Sequence, residues 1–336
     1  MKIWIPIALI IVTILCIWAW RTMTGPMYRP GDARRALDSG AAGVELYRFQ
    51  QGQGRDVLVV HGGPGFPPDG PWRAGARLAA EGYRLTYYHQ RGCGRSGRPI
   101  TSISGSNRYE QMKTVERALG LAAQVGDIER LRRELGREKL VLLGHSFGAD
   151  IATLYAAEFP EHVEALIAVA PANMAVLPTK GSGLFDLIRA RLPVGMRSEY
   201  EAYLKEYFDF GAALQRTEAQ SSEFYGRLAK FYGAAAQARE VGGSDIGGTG
   251  YVPLGVYLSM GKHHDYTEAY RSVKAPVLVI HGGADLQPEE ASRAFAAWFA
   301  NARFVRIEGA SHFVFNDRPE EFARAVSEFL DYLASR

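Results

Sequence analysis

The sequence predicts an α/β fold in which helices cover both faces of a mostly parallel sheet. Two observations predict it. Short apolar runs, such as 56–61 and 276–281, are followed by Gly-rich turns, which is typical of buried parallel strands. Segments with helical spacing lie between these runs, so strands and helices alternate along the chain.

The predicted elements follow one another in a regular order after Gly43. Each predicted strand is an alternating or continuous apolar run, and each predicted helix has apolar residues three and four positions apart. We expect strands at 44–49, 56–61, 83–88, 139–143, 163–170, 276–281 and 304–307, and helices at 114–135, 149–158, 289–300 and 319–333. The α/β core is therefore expected to comprise residues 44–171 and 271–336.

Residues 172–270 interrupt this alternation. They lack Val- and Ile-rich strands and contain aromatic-rich helical stretches at 198–210 and 223–237, followed by a Gly-rich loop at 242–250. Because the strand pattern resumes after residue 270, we interpret the segment as a helical cap inserted into the core rather than an independent domain.

Residues 1–20 differ in character from the rest of the chain. Residues 3–20 carry no charge, and as a helix they would be roughly 27 Å long, close to the thickness of a bilayer core. Trp18 and Trp20 lie near one end, where aromatic belts occur. The segment predicts an uncleaved membrane anchor, with a cleaved signal peptide as the alternative. We expect a polar tether at 21–43 and a catalytic domain on the non-cytoplasmic side of the membrane, periplasmic or extracellular, although the flanking cations leave the orientation open.

The composition excludes several classes of protein. Lys and Arg number 39 and Asp and Glu 36, a net charge of +3, and the cations are scattered, so the basic patch of a nucleic-acid-binding protein is missing. Two cysteines, Cys16 and Cys93, are too few for a disulfide framework or a four-thiolate zinc site. We therefore predict no cofactor, no metal and no nucleic-acid partner, and the sequence does not indicate an oligomeric state.

One motif indicates a serine nucleophile. Gly144-His145-Ser146-Phe147-Gly148 follows the predicted strand 139–143 and opens the next helix. In this strand–turn–helix setting, a Gly-x-Ser-x-Gly sequence holds the serine in a strained turn with its hydroxyl exposed. A hydroxyl is a weak nucleophile, so it needs a base, and the base needs an orienting carboxylate.

Asp285 and His312 are the predicted carboxylate and base. Asp285 follows the strand 276–281, and His312 follows the last predicted strand, in the chain order Ser, acid, His that this arrangement requires. The carboxyl ends of parallel strands meet at one edge of the sheet, which brings such residues together. Asp317 is the rival acid and is expected to cap the final helix. The rival histidines, which do not follow the last strand, are His145, His162, His263, His264 and His281.

A second motif predicts the oxyanion hole. His61-Gly62-Gly63-Pro64-Gly65 follows the strand 56–61, and its glycines let backbone N–H groups approach a developing negative charge. We assign the hole to the N–H groups of Gly63 and Phe147, with Gly62 as the alternative, and expect His61, Pro64 and Gly65 to support it. No Lys-Ser or Lys-Thr pair follows, which excludes a phosphate-binding P-loop.

The second motif and a later one together resemble a known family. HGGPG at 61–65 and Gln90-Arg91-Gly92-Cys93-Gly94-Arg95-Ser96 are similar to the HGGPG and DQRGCGRS signatures of the proline iminopeptidase branch (peptidase family S33) of the α/β-hydrolase superfamily. The resemblance covers about residues 44–171 and 271–336. It implies the α/β-hydrolase fold with a cap, and metal-free release of an N-terminal residue, typically proline, from short peptides.

The same resemblance implies roles for the later motif, at 90–96. Gln90, Arg91 and Gly92 would support the site next to the oxyanion loop, and Cys93 would be a loop residue rather than a nucleophile. The chain departs from the branch at His89, where the signature has Asp, and in its GHSFG elbow.

The substrate-binding residues of the branch are not evident in this chain. Gly255-Val256-Tyr257 lies where we expect an acidic cap residue that binds the substrate amine. Other cap carboxylates could supply the charge, although each is expected on a solvated helix face. They are Glu201, Glu206, Asp209 and Glu223.

The sequence therefore predicts a serine hydrolase, iminopeptidase-like and acting on small peptides. A carboxylesterase or amide hydrolase acting on small apolar acyl substrates is the alternative, and a non-catalytic membrane-tethered scaffold is a minor one.

Overall fold

The computed structural model describes residues 28–38, 43–177, 183–236 and 248–336. The strands in these ranges are β1 (Arg48–Gly52), β2 (Arg55–Val60), β3 (Tyr83–Tyr88), β4 (Leu140–His145), β5 (Val163–Val169), β6 (Val176–Leu177), β7 (His264–Asp265), β8 (Val277–Gly282) and β9 (Ala302–Ile307). The helices are α1 (Asp32–Asp38), α2 (Arg73–Ala80), α3 (Arg108–Leu119), α4 (Leu121–Glu134), α5 (Phe147–Glu158), α6 (Leu184–Arg191), α7 (Val194–Tyr207), α8 (Phe210–Ala213), α9 (Glu218–Ala236), α10 (Val252–Met260), α11 (Thr267–Arg271), α12 (Glu289–Ala296), α13 (Val314–Asp317) and α14 (Pro319–Ala334).

Seven of these strands form one sheet in the order β1-β3-β2-β4-β5-β8-β9. β1 is antiparallel to β3, and the other pairings in the sheet are parallel, so the predicted mostly parallel sheet is confirmed. Val60 of β2 lies opposite Gly144 of β4, and Gly282 of β8 lies opposite Ile307 of β9. The loops that follow these strands therefore emerge at the same edge of the sheet.

Helices cover both faces of the sheet, as predicted. Leu58 and Val60 of β2 belong to a core cluster with Ile128 of α4, whereas Val57 and Val59 belong to a cluster with Phe322 of α14. Side chains alternate between the two faces of a strand, so each face of β2 is buried against a helix. The continuous apolar runs in the sequence follow from this double burial.

Part of the segment predicted as a cap has a core of its own. Helices α6, α7 and α9 share a buried aromatic cluster that includes Tyr203, Phe224 and Phe231. Leu286, which follows Asp285 in the core, is 1% exposed and belongs to this same cluster. Residues 252–271, in contrast, pack within the main core, so the segment with its own cluster is shorter than the cap predicted at 172–270.

Residues 28–38 correct part of the predicted tether at 21–43. Tyr28 is fully buried, and its hydroxyl donates to Glu158 Oε2 over 2.9 Å. The Arg34 N–H donates to the other oxygen of the same carboxylate over 2.8 Å. The prediction of a tether was wrong for this stretch, because Tyr28 is buried and both Tyr28 and Arg34 donate hydrogen bonds to the carboxylate of Glu158 in α5.

The predicted membrane anchor also needs correction. None of the helices in the described ranges combines the length and apolar character needed to cross a bilayer. The segment 3–20, on which the prediction depended, lies outside the described residues. The lack of a membrane-spanning helix in the described ranges contradicts the predicted localisation, which was a membrane anchor with a non-cytoplasmic catalytic domain. We therefore keep neither the anchor nor that localisation.

The helix predicted at 114–135 and the strand predicted at 44–49 differ from the observed elements. The helix expected at 114–135 is divided into α3 and α4 at Gly120, where a Cβ atom would lie 2.5 Å from Glu116 O and 2.9 Å from Ser259 Cβ. The Ser259 hydroxyl of α10 accepts the N–H of Leu121 over 2.9 Å, so a distant helix caps the second half. The strand expected at 44–49 begins at Arg48 instead.

Candidate active site

Ser146 occupies the sharp turn between β4 and α5. Its φ of 53° and ψ of −125° lie outside the regions that most residues adopt. The neighbouring glycines permit the close approach of strand and helix. A Cβ at Gly148 would lie 2.1 Å from Val60 O, and one at Gly144 would lie 2.5 Å from Ala149 Cα. Ser146 is partly exposed, so the turn presents its side chain at the edge of the sheet.

His312 and Asp285 form a buried hydrogen-bonded pair. His312 Nδ1 lies 2.8 Å from Asp285 Oδ2, and the side chains are 8% and 0% exposed. The other oxygen, Asp285 Oδ1, accepts the N–H of Gln287 over 2.9 Å. The carboxylate thus fixes the hydrogen of His312 on Nδ1 and leaves Nε2 as the acceptor. Nε2 makes no hydrogen bond with any described residue.

His145 links the serine turn to the histidine loop. Its Nε2–H donates to the His312 carbonyl over 3.0 Å, and the two imidazole rings are 4.8 Å apart. No hydrogen bond joins the Ser146 hydroxyl to His312 within the described part of the chain.

His145 is a site residue whose role the sequence did not reveal. We considered it there only as a rival base, but it is buried, and burial holds the pKa of its imidazole well below the usual value. A neutral ring with its hydrogen on Nε2 serves as a donor to the loop rather than as a base. Its place inside the serine motif is the signal that could have indicated this contact.

The loop 61–65 lies directly against Ser146. A Cβ at Gly62 would lie 2.8 Å from Ser146 Cβ, so only glycine fits beside the serine. Gly63 is exposed and has a φ of +120°, and Phe147 is the first residue of α5. Within the described residues, neither the Gly63 N–H nor the Phe147 N–H donates to another group. Two free amide donors therefore border the serine.

Hydrogen bonds between Gln90 and residues His61 and Gly65 hold this loop in place. The Gln90 amide donates to His61 O over 2.9 Å and accepts the N–H of Gly65 over 3.2 Å, which ties together both ends of the loop. His61 Nε2 accepts the N–H of Gln90 over 3.0 Å. Burial lowers the pKa of His61 to about 3, so its ring is neutral and can accept this bond. Pro64, between the two ends, is buried.

Arg91, Gly92 and Cys93 lie in the supporting turn, and none of them is hydrogen-bonded to Ser146 within the described residues. The Arg91 guanidinium makes a two-point ion pair with the buried Asp127 of α4, at 2.7 and 2.6 Å. A Cβ at Gly92 would lie 2.5 Å from Leu119 Cδ2. Burial raises the pKa of the Cys93 thiol to about 12, so it is not a reactive thiolate.

His89, where the branch signature has Asp, anchors the same turn. Its Nδ1 accepts the N–H of Arg95 over 2.9 Å, and its Nε2 lies 3.2 Å from Pro68 O. Burial lowers the pKa of His89 to about 4, so the ring is neutral in this position. An uncharged imidazole therefore takes the place of the carboxylate.

The rival groups have other roles. Asp317 accepts the N–H of Ser311 over 2.7 Å, which holds the turn before His312. The proposed amine-binding carboxylates of the cap are all exposed. Glu201 and Glu206 pair with Arg189 and Arg216, Asp209 caps α8, and Glu223 lies on the surface.

The cap contributes an aromatic residue to the site. The ring of Tyr232 in α9 lies 5.9 Å from the His312 ring, and the sequence did not indicate this contact.

Across the described ranges, no group of three or more His, Cys, Asp or Glu side chains is arranged to hold a metal ion.

Comparison with known families agrees with this geometry. The family model described as alpha/beta hydrolase fold matches residues 57–319. The chain belongs to the α/β-hydrolase family. A proline iminopeptidase of Lactobacillus helveticus (strain DPC 4571) is 25% identical over 279 residues, covering 82% of this chain and 89% of that protein. The predicted resemblance to the proline iminopeptidase branch is thereby confirmed.

Other relatives have different names. A 2-hydroxymuconate semialdehyde hydrolase of Pseudomonas putida is 27% identical over 316 residues, covering 92% of this chain and 97% of that protein. Among solved structures, an esterase from Thermogutta terrifontis has a TM-score of 0.55 at 23% identity, covering 86% of this chain and 94% of that one. The chain is thus an α/β-hydrolase whose relatives include both peptidases and other hydrolases.

Proposed function

We propose that the protein is a serine hydrolase in which Ser146, His312 and Asp285 act together. The observation that carries the proposal is the 2.8 Å bond between His312 Nδ1 and Asp285 Oδ2, because it leaves Nε2 able to accept a proton. Ser146 Oγ attacks a carbonyl carbon as its proton passes to Nε2. The proton then goes to the leaving group as the acyl-enzyme forms, and water releases the acyl group by the same route.

The negative charge that develops on the carbonyl oxygen is assigned to the N–H groups of Gly63 and Phe147. Both amides are free of acceptors within the described residues and border the serine. A single donor of this kind contributes about 3–4 kcal/mol to the transition state. Gly62 is the alternative donor, but its place against the Ser146 side chain makes it mainly a steric neighbour.

For the substrate, we propose first a small peptide with an N-terminal proline. The support is the pair of signature motifs and the similarity to the proline iminopeptidase of L. helveticus. One observation favours an ester of an apolar acid as the second candidate. Tyr257 of α10, at the position expected to be acidic, shares a hydrogen bond of 2.9 Å with Tyr207 of α7. A phenol pair does not neutralise a substrate ammonium group as a carboxylate does.

A panel of substrates tests these alternatives. Proline arylamide and short-chain acyl esters are each assayed with the wild-type chain and with Ser146→Ala as the control for contaminating activity. Turnover of the arylamide supports the peptidase, and ester turnover without any arylamide turnover removes it. If no substrate is turned over and a fluorophosphonate leaves Ser146 unlabelled, the hydrolase proposal fails and the non-catalytic scaffold is favoured.

A further inference from the structure

Tyr232 has a hydroxyl group without a partner at the edge of the active site. It lies on α9 of the cap, with its ring 5.9 Å from the His312 ring at an interplanar angle of 52°. Its hydroxyl oxygen is buried and has no hydrogen-bond partner within the described residues. Buried polar groups are nearly always hydrogen-bonded, so an exception beside a candidate catalytic base calls for an explanation.

We propose that the Tyr232 hydroxyl binds a hydrogen-bond acceptor on the leaving group of the substrate, and so selects leaving groups that carry one. This rests on the proposed serine hydrolase. Suitable acceptors are the carbonyl oxygen of the residue that follows the scissile bond of a peptide, or an ether or carbonyl oxygen in the alcohol of an ester.

The position of the ring supports the leaving-group side. In the proposed reaction, His312 gives its proton to the leaving group, so this part of the substrate lies over the imidazole. The acyl oxygen lies instead toward Gly63 and Phe147. Because the Tyr232 ring lies 5.9 Å from the imidazole ring, it borders the first of these two positions.

The state of the hydroxyl also suits this role. Burial, reinforced by the charge of Asp285, raises the pKa of Tyr232, so the group remains protonated and able to donate at any working pH. The oxygen is closed to solvent and has no acceptor among the described residues. Under the proposal, the substrate supplies this acceptor.

Tyr203 provides a matched control. It is also a cap tyrosine with a buried hydroxyl that lacks a partner among the described residues. Its ring contacts Tyr200, Phe224 and Phe231 within the cap cluster rather than His312. The two residues thus share the unpartnered hydroxyl and differ in their distance from the reaction.

The test compares Tyr232→Phe with Tyr203→Phe on two esters of one acid. The acid is the one whose acyl group the wild-type chain releases fastest from the substrates of the panel. Its 2-methoxyethyl ester carries an acceptor in the leaving group, and its butyl ester, with as many heavy atoms, carries none. We expect Tyr232→Phe to lower kcat/KM about tenfold for the methoxyethyl ester and to change the butyl ester less than about twofold. Tyr203→Phe should change neither.

Melting temperatures supply a readout that does not depend on turnover. Removing an unpartnered buried hydroxyl should raise Tm, so both variants should melt higher than the wild type. Equal effects of Tyr232→Phe on both esters, or no effect on either, would overturn the inference while leaving the hydrolase proposal intact. A lower Tm in Tyr232→Phe would also overturn it, since the hydroxyl would then have a structural partner. A wild-type chain that hydrolyses neither ester but turns over another substrate of the panel would overturn this inference alone. One that turns over no substrate of the panel and leaves Ser146 unlabelled by a fluorophosphonate would remove the proposed function as well.

Discussion

Replacing Asp285 with Asn tests how the buried carboxylate sets the state of His312. In the native chain, Oδ1 accepts the Gln287 N–H over 2.9 Å and Oδ2 faces His312 Nδ1 at 2.8 Å. An asparagine keeps the first bond by placing its oxygen there, so its NH2 group then faces Nδ1 as a donor. The imidazole must accept at Nδ1 and carry its hydrogen on Nε2, where it cannot receive the Ser146 proton.

The size of the effect follows from this inverted tautomer. A comparable Asp-to-Asn change in a serine triad lowers kcat by about ten-thousandfold, which corresponds to about 5.4 kcal/mol at 1.36 kcal/mol for each factor of ten. We expect a loss of this order for Asp285→Asn, because the side chain is 0% exposed and bulk water cannot replace its charge. The assay is kcat on the best substrate of the panel, with circular dichroism to check folding.

Asp317→Asn is the matched control. This carboxylate lies five residues beyond His312 and accepts from Ser311, but it is not bonded to the imidazole. We expect less than about a threefold loss, as for a surface hydrogen bond. If Asp285→Asn kept kcat within tenfold of the wild type, or if Asp317→Asn were the more damaging change, the assignment of the carboxylate would be refuted.

Three further changes test the loop, the core and the N-terminal stretch. Gly62→Ala puts a methyl group 2.8 Å from Ser146 Cβ, and we expect kcat/KM to fall at least about a hundredfold. Burial raises the pKa of Asp150 from 3.8 to about 7. Ionisation of this buried carboxyl group therefore lowers the free energy of unfolding by on the order of 4 kcal/mol as the pH rises from about 4 to 7. In urea unfolding, the stability of Asp150→Asn should therefore increase relative to that of the wild type as the pH rises across that range. Tyr28→Phe leaves an oxygen of Glu158 unpaired and should lower the free energy of unfolding by about 1–3 kcal/mol.

Each of these has a result that would count against it. Gly70→Ala is the control for the loop, since a Cβ there meets nothing within 4 Å, and equal losses at Gly62 and Gly70 would exclude the steric explanation. A constant difference between Asp150→Asn and the wild type at all pH values would show that Asp150 does not titrate in this range. Unchanged unfolding of Tyr28→Phe would mean that the stretch 28–38 adds little to stability.

The sheet and the grouping of the candidate active-site loops could be predicted because both follow from local patterns in the sequence. Double burial makes β2, β4 and β8 continuous apolar runs, and the parallel arrangement then puts the loops that follow them at one edge. Ser146 and Asp285 each follow such a strand, whereas His312 follows β9, which is less buried. The structure bonds Asp285 to His312, and His145, the residue before Ser146, donates to the His312 carbonyl.

What the sequence missed depends on contacts between distant segments. The break at Gly120 is set by Ser259 of α10, and the packing of residues 28–38 is set by Glu158 of α5. Neither partner is visible in the local pattern. Tyr232 was missed for the same reason, because its role depends on how the cap lies on the core rather than on its neighbours in α9.

The most direct measurement is the site of covalent labelling by a fluorophosphonate, mapped by peptide mass spectrometry on the folded full-length chain. If a buried imidazole activates the hydroxyl at the turn after β4, a single adduct should form on residue 146, slowly in Asp285→Asn and not at all in Ser146→Ala. A folded chain that takes up no phosphonate there, or that is modified at another side chain, would contradict the account.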